Sequence, residues 1–183
     1  MNIDPKKIAR MITEDPDEVA PSDHFDDTED EYVDDDPNFP DIPQFGLSHT
    51  EALLQRAEEI ARSAHEGQLY GDVPYINHPL AVKARVGDNP IVQTVALLHD
   101  VIEDSSTSSQ DLLDAGIPPI VVTAVEAISR NAGEKYFAYI ARLNNNPTAR
   151  IVKIADLEEN LSSLPEGDSL ESRYLKALEI LSA

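Results

Sequence analysis

Residues 91–104 read IVQTVALLHDVIED, and this stretch constrains the fold more than any other part of the chain. It is apolar on most sides of a helix, which suits a rod buried among other helices rather than one lying on a surface. Asn89-Pro90 marks its start, with asparagine as cap and proline in the first turn. Near its end His99-Asp100 is set between VALL and VI, where ionisable groups are costly to bury unless their charge is compensated. His99 and Glu103 are four residues apart, as are Asp100 and Asp104, so an unbroken helix carries all four on one broad face. Three carboxylates there repel one another unless a cation sits among them. A divalent metal is the economical answer, and imidazole with carboxylate suits Mn, Fe or Zn. A His-Asp pair taken alone is more often explained by ordinary hydrogen bonding.

The flanking segments are helical as well. Residues 47–66 place Leu53, Leu54, Ala57, Ile60, Ala61 and Ala64 at helical spacing, opened by a Ser48/Glu51 capping box and closed by Gly67. A short helix is expected over 108–115, closed by Gly116, and another opens at Pro118 or Pro119. The β-branched run 117–125 could form a strand, but no partner strand with an alternating pattern exists, so it is read as helix. Further helices are expected over 134–143, 147–161 (Asn146-Pro147 repeating the earlier start signal) and 168–181, the last with a capping pair at Asp168 and Glu171. The fold class is therefore all-α: about seven helices in a bundle, enough to bury one core of Leu, Ile, Val and Ala.

The first 46 residues differ in kind. They carry 15 acidic and 3 basic side chains and six of the chain's 13 prolines, and residues 26–36 read DDTEDEYVDDD. So little apolar surface cannot offset the ~1–2 kcal/mol per residue of backbone ordering entropy, so 1–46 is expected to be a largely disordered tail and 47–183 the folded domain. Lys6–Ile12 could form a brief helix. The tail reads most simply as a solvating linker. The sharper reading is an arm, with Asp41–Phe45 as its contact, that docks on a basic protein partner or on the chain's own active-site mouth.

A net charge of −21 argues against bulk nucleic-acid binding, though not against a small basic groove for one anion. The absence of cysteine excludes disulfides, a Cys-ligated zinc site and a thiol nucleophile. No run approaches eighteen apolar residues and the N-terminus lacks a secretory pattern, so no membrane association and a cytoplasmic location are expected.

Two further segments bear on the His-Asp pair. PYINHP (74–79) sets His78 beside a proline where a helix begins, and VKIADLEEN (152–160) sets Asp156 at the end of an apolar run with Asn160 one turn later. In order, AHEGQ (64–68), PYINHP, ALLHDVIED (96–104) and VKIADLEEN resemble the HD-domain phosphohydrolases. Among these they are most similar to the alarmone (guanosine polyphosphate) hydrolases: the small single-domain forms and the hydrolase domain of the Rel/Spo enzymes. The likeness spans about residues 48–181.

The resemblance implies an HD-type helical bundle in which His78, His99, Asp100 and Asp156 bind one divalent metal, usually manganese. It implies that Glu103 and Asp104 orient or deprotonate the attacking water and protonate the leaving oxygen. Asn160 matches a contact to the substrate's sugar or phosphate region, and Tyr174 a tyrosine lining the nucleotide pocket. The implied reaction is hydrolysis of the 3′-pyrophosphate of ppGpp or pppGpp to GDP or GTP plus pyrophosphate, with degradation as the sole direction. Arg62, Lys83, Lys135, Lys153 and Arg173 are candidate phosphate contacts, of which Lys135, Lys153 and Arg173 stand out. His65 is read as a supporting residue, and His24 and His49 as bystanders. The family usually carries a basic residue just after the Gly-Gln dipeptide; here Gly67–Val73 (GQLYGDV) has none, and Tyr70 could stack on a purine instead. Two alternatives remain: an HD nucleotidase or phosphodiesterase on another nucleotide, and a non-catalytic HD-fold binding module with an acidic arm.

Overall fold

The computed structural model describes residues 48–183, and the tail readings, Lys6–Ile12, His24 and Asp41–Phe45 lie outside them. The first helix, α1 (His49–Ala64), opens on the expected capping box, in which Ser48 Oγ accepts from the Glu51 amide and Glu51 returns the bond to the Ser48 amide. A two-stranded antiparallel hairpin follows, β1 (Leu69–Tyr70) and β2 (Val73–Pro74), with Tyr70 opposite Val73. The hairpin departs from the all-helical reading of the sequence. Its signal was Gly71-Asp72: Gly71 takes φ +60°, the conformation a two-residue hairpin turn demands.

Next come α2 (Asn77–Arg85), α3 (Pro90–Leu98), α4 (Val101–Asp104), α5 (Ser109–Asp114), α6 (Pro119–Ile128), α7 (Tyr136–Leu143), α8 (Pro147–Ser163) and α9 (Glu171–Ser182). That makes nine α-helices among the described residues, against about seven expected, and an all-α bundle. The Asn-Pro starts form as expected. Asn89 Oδ1 accepts from the Ile91 and Val92 amides, and Asn146 Oδ1 from the Ala149 amide. The run 117–125 forms no strand and is helical from Pro119 onward, where Val121, Val122, Ala124, Val125 and Ile128 fall on the buried face of α6. The Asp168/Glu171 capping pair does not form. Asp168 Oδ1 accepts from the Leu170 amide in a turn before α9, whose cap position is Leu170 itself.

The unbroken helix over 91–104 also needs correction. The structure divides it at His99-Asp100 into α3 and α4. His99 Nδ1 lies 2.7 Å from the Ala96 carbonyl, the acceptor that a continuing helix would give to the amide of residue 100. The imidazole thus competes with the backbone ladder, and a break follows.

α3 is the central rod, packed against α1, α2, α6 and α8. Val95, Ala96, Leu97 and Leu98 are wholly buried, as is Val101 just beyond the break. A second apolar cluster, of Tyr139, Ile140, Leu143, Leu157, Ala177 and Leu181, joins α7, α8 and α9. Gly116 (φ +79°) ends the α5 turn where a Cβ would strike the Arg56 guanidinium, which itself donates to the Ala115 carbonyl. Among the described residues no helix is long and apolar enough to cross a membrane.

Truncating the middle of the central rod is expected to cost about 2–5 kcal/mol, the range for large-to-Ala changes in a core, in the variant Leu97→Ala. Urea unfolding of wild type and variant measures it.

Candidate metal centre and active site

Four of the residues singled out in the sequence converge at the break in the central rod. His78 comes from the first turn of α2, His99 and Asp100 from the break, and Asp156 from the middle of α8. His78 Nε2 lies 3.1 Å from Asp156 Oδ1 and 3.7 Å from Asp100 Oδ2. His99 Nε2 lies 3.0 Å from Asp100 Oδ2 and 3.7 Å from Asp156 Oδ1. Both imidazoles and Asp156 are buried, and Asp100 is partly so.

These residues fit a divalent cation. With Nδ1 committed to the Ala96 carbonyl, His99 carries its lone pair on Nε2, a buried atom with no hydrogen-bond partner that faces the two carboxylates. Neighbouring donors around an ion bound at about 2.1 Å sit about 3 Å apart, close to the spacings above. A nitrogen-oxygen set without sulfur suits Mn, Fe or Zn; among the described residues His78, His99 and Asp100 form the one group whose donor atoms lie close enough together for a single ion, and Asp156 Oδ1 stands beside it, 3.1 Å from His78 Nε2.

Without a cation, protons take over its electrostatic role. Burial disfavours the charged form of His99, but Asp100 and then Asp156 outweigh it and raise the pKa to about 10. Burial likewise opposes the charge on Asp100, yet His99 brings its pKa down to about 2. On Asp156 burial is outweighed by Lys153, whose Nζ lies 2.7 Å from Oδ2, and then by His78, so the carboxyl is held far below the usual range. Lys153 is kept charged, its burial offset by Asp156. The ammonium also lies 5.5 Å from the Tyr139 ring centre.

The Glu103–Asp104 pair divides. Glu103 Oε2 accepts from the Arg130 amide at 2.9 Å, so this carboxylate braces the 129–135 turn. Asp104 stays beside the cluster, and its pKa is raised by partial burial and by Asp100. Sequence reasoning missed Tyr75, whose hydroxyl donates to Asp100 Oδ2 at 2.6 Å and lies 3.4 Å from Asp104 Oδ2. Burial and then Asp100 raise its pKa, so it stays a donor. Its signal was its place in PYINHP, three residues before His78. His65 packs on the Tyr75 ring at 4.5 Å and pairs with Gln68, which donates to the Asp104 carbonyl.

Of the expected substrate contacts, Lys153 and Asn160 reach the centre. Asn160 Nδ2 donates to Asp156 Oδ1 at 2.7 Å, and its Oδ1 accepts from the Tyr70 hydroxyl at 3.0 Å. Tyr174 is half-buried near enough for Asp156 and Lys153 to affect its ionisation, burial being the main cause of its raised pKa. Arg173 lies over the Tyr136 ring at 5.5 Å. Lys135 is exposed at the start of α7, and Arg62 turns to Glu58.

No protein-family model matches the chain. Known proteins do. It is 31% identical over 147 residues to the "Bifunctional (p)ppGpp synthase/hydrolase RelA" of Mycobacterium tuberculosis, covering 71% of this chain and 20% of that protein. It is 30% identical over 126 residues to the "Bifunctional (p)ppGpp synthase/hydrolase SpoT" of Escherichia coli K12, covering 61% and 18%. A further relative, the "Probable GTP pyrophosphokinase" of Mycobacterium leprae, is 31% identical over 147 residues, covering 71% and 18%. A solved structure described as a metazoan ortholog of SpoT that hydrolyzes ppGpp superposes with TM-score 0.58 at 20% identity, covering 75% of this chain and 86% of that one. Over the matched stretch the chain is similar to Rel/Spo-type proteins named for (p)ppGpp synthesis and hydrolysis. It spans about a fifth of the length of these curated relatives. The solved neighbour shares the all-α HD-type fold.

The raised His99 and lowered Asp100 give a pH signature in chelator. A raised pKa contributes stability that is complete below the ordinary 6.5 and lost as pH climbs through about 10. A lowered one contributes stability that is present above 3.8 and lost as pH falls through about 2. Wild type is therefore expected to exceed His99→Gln in stability most between pH 3.8 and 6.5, with the margin shrinking on both sides. Denaturant titrations of both proteins across pH measure it.

Proposed function

We propose that the chain is a cytoplasmic hydrolase of guanosine polyphosphates, cleaving the 3′-pyrophosphate of ppGpp or pppGpp to give GDP or GTP plus pyrophosphate. One divalent cation, taken to be Mn²⁺, is held by His78, His99, Asp100 and Asp156. The observation that carries this reading is the convergence of two imidazole Nε2 atoms on two carboxylates at 3.0–3.7 Å, with His99 Nε2 buried and without a hydrogen bond. Support for the substrate class comes from relatives named as (p)ppGpp enzymes. A cation in such a set activates water and draws charge from a phosphoryl oxygen.

Asp104 supplies the proton chemistry. It is open to solvent yet close enough to Asp100 for its pKa to rise, which suits a group that accepts a proton from water and returns one. Water adds to phosphorus, the bond to the ribose 3′ oxygen breaks, and the proton passes through Asp104 to that oxygen. Tyr75 keeps Asp100 and Asp104 in register by donating between them. Glu103 fixes the turn leading to Lys135, which with Lys153 and Arg173 offsets the substrate's charge. Tyr174 flanks the sugar.

Incubation with ppGpp and Mn²⁺ is expected to release pyrophosphate, and a chelator to abolish it. Asp104→Asn should lower kcat by roughly 10²–10⁴-fold, the usual contribution of a positioned acid-base group, with Mn²⁺ binding retained. Survival of ppGpp while another nucleotide is cleaved under the same conditions would assign the alternative substrate class.

A further inference from the structure

The hairpin brings Tyr70 onto the metal centre in a way the proposed reaction leaves unused. Its ring stacks on His78, with centroids 4.9 Å apart and planes 24° from parallel. Its hydroxyl donates to Asn160 Oδ1 at 3.0 Å, and Asn160 Nδ2 donates to Asp156 Oδ1 at 2.7 Å. The amide has one orientation consistent with both neighbours. A carboxylate only accepts, so the NH₂ must face Asp156, which leaves the carbonyl oxygen for the phenol. One side chain from a two-residue strand therefore touches one candidate ligand directly and reaches a second through a single amide.

We propose that Tyr70 is a positioning residue for the cation. Its ring sets the plane of His78, and the Tyr70–Asn160–Asp156 chain sets the direction of Asp156 Oδ1, so the hairpin acts as a clasp across the two ligands that come from different helices. This rests on the metal-dependent reading above. It also gives Asn160 a role toward the ligand set, because both ends of its amide are engaged within the protein. Groups that orient metal ligands typically contribute 10–100-fold to metal affinity.

The test is Mn²⁺ binding to the full chain, read from the electron paramagnetic resonance of free Mn²⁺, for wild type, Tyr70→Phe, Asn160→Ala and the double variant. Tyr70→Phe is expected to bind about 10-fold more weakly, at the low end of that range, and the double variant no more weakly than Asn160→Ala alone. Saturating Mn²⁺ should return kcat and KM for ppGpp in Tyr70→Phe to within about twofold of wild type, because a residue acting through the ion is compensated by more of it. Wild-type affinity in Tyr70→Phe, or independent losses that add in the double variant, overturns the proposal. A KM that stays raised at saturating Mn²⁺ overturns it too and assigns the hydroxyl to the substrate. A melting temperature far below wild type in Tyr70→Phe would show that the hydroxyl serves the fold. Wild type that takes up no Mn²⁺ overturns both this proposal and the reaction, whereas wild type that binds Mn²⁺ but leaves ppGpp intact overturns the reaction alone.

Discussion

Two carboxylates and two imidazoles packed within 3.0–3.7 Å of one another, at the end of the buried central helix α3, are the constraint around which the described fold is arranged. Such a group is destabilising unless its charge is balanced in place, because little water reaches it to screen the repulsion. Lys153 supplies one positive charge to Asp156, and Tyr75 one proton to Asp100. The Nε2 of His99, buried and without a hydrogen bond, faces both carboxylates at 3.0 and 3.7 Å, where a proton or a cation can complete the balance. His78 comes from α2, His99 and Asp100 from the break after α3, and Asp156 with Lys153 from α8, so the packing of α3 against α2 and α8 is also what assembles the charges.

The break between α3 and α4 follows from the same chemistry. An imidazole that hydrogen-bonds its own preceding turn cannot leave that carbonyl to the helix ladder, and the ladder ends. The break lets Asp104 stand at the edge of the cluster while Glu103 reaches the Arg130 amide. Two neighbouring acidic residues thereby acquire different surroundings. One keeps a raised pKa beside Asp100 and the other becomes a strut for a turn.

Most of the helical framework was legible from local signals. The Ser48/Glu51 box and both Asn-Pro starts are short-range devices whose geometry is set within four residues, and all three form. The pair at Asp168 misled because a side chain preceding a helix can cap a turn instead, and only the later chain path decides which. His99 and Asp100 stand out in the sequence because ionisable groups inside an apolar run are costly to bury, whereas His78 and Asp156 join them as ligands only through the family resemblance. Tyr75 and Tyr70 do not stand out, since a tyrosine near a histidine carries no sequence mark of where its hydroxyl points. The hairpin was overlooked for a related reason: strands of two residues have no periodicity to detect, leaving Gly71-Asp72 as the sole cue.

The contact between Lys153 and Asp156 has a consequence for any anion that comes to this site. An ammonium carries three protons, and one is directed at Asp156, leaving two for another acceptor. Its stem is buried and its head lies over Tyr139, so the rotamer freedom of the lysine was surrendered when the chain folded. A phosphate oxygen arriving there meets a donor already aimed and already desolvated, and the encounter need not immobilise a long side chain to form the bond.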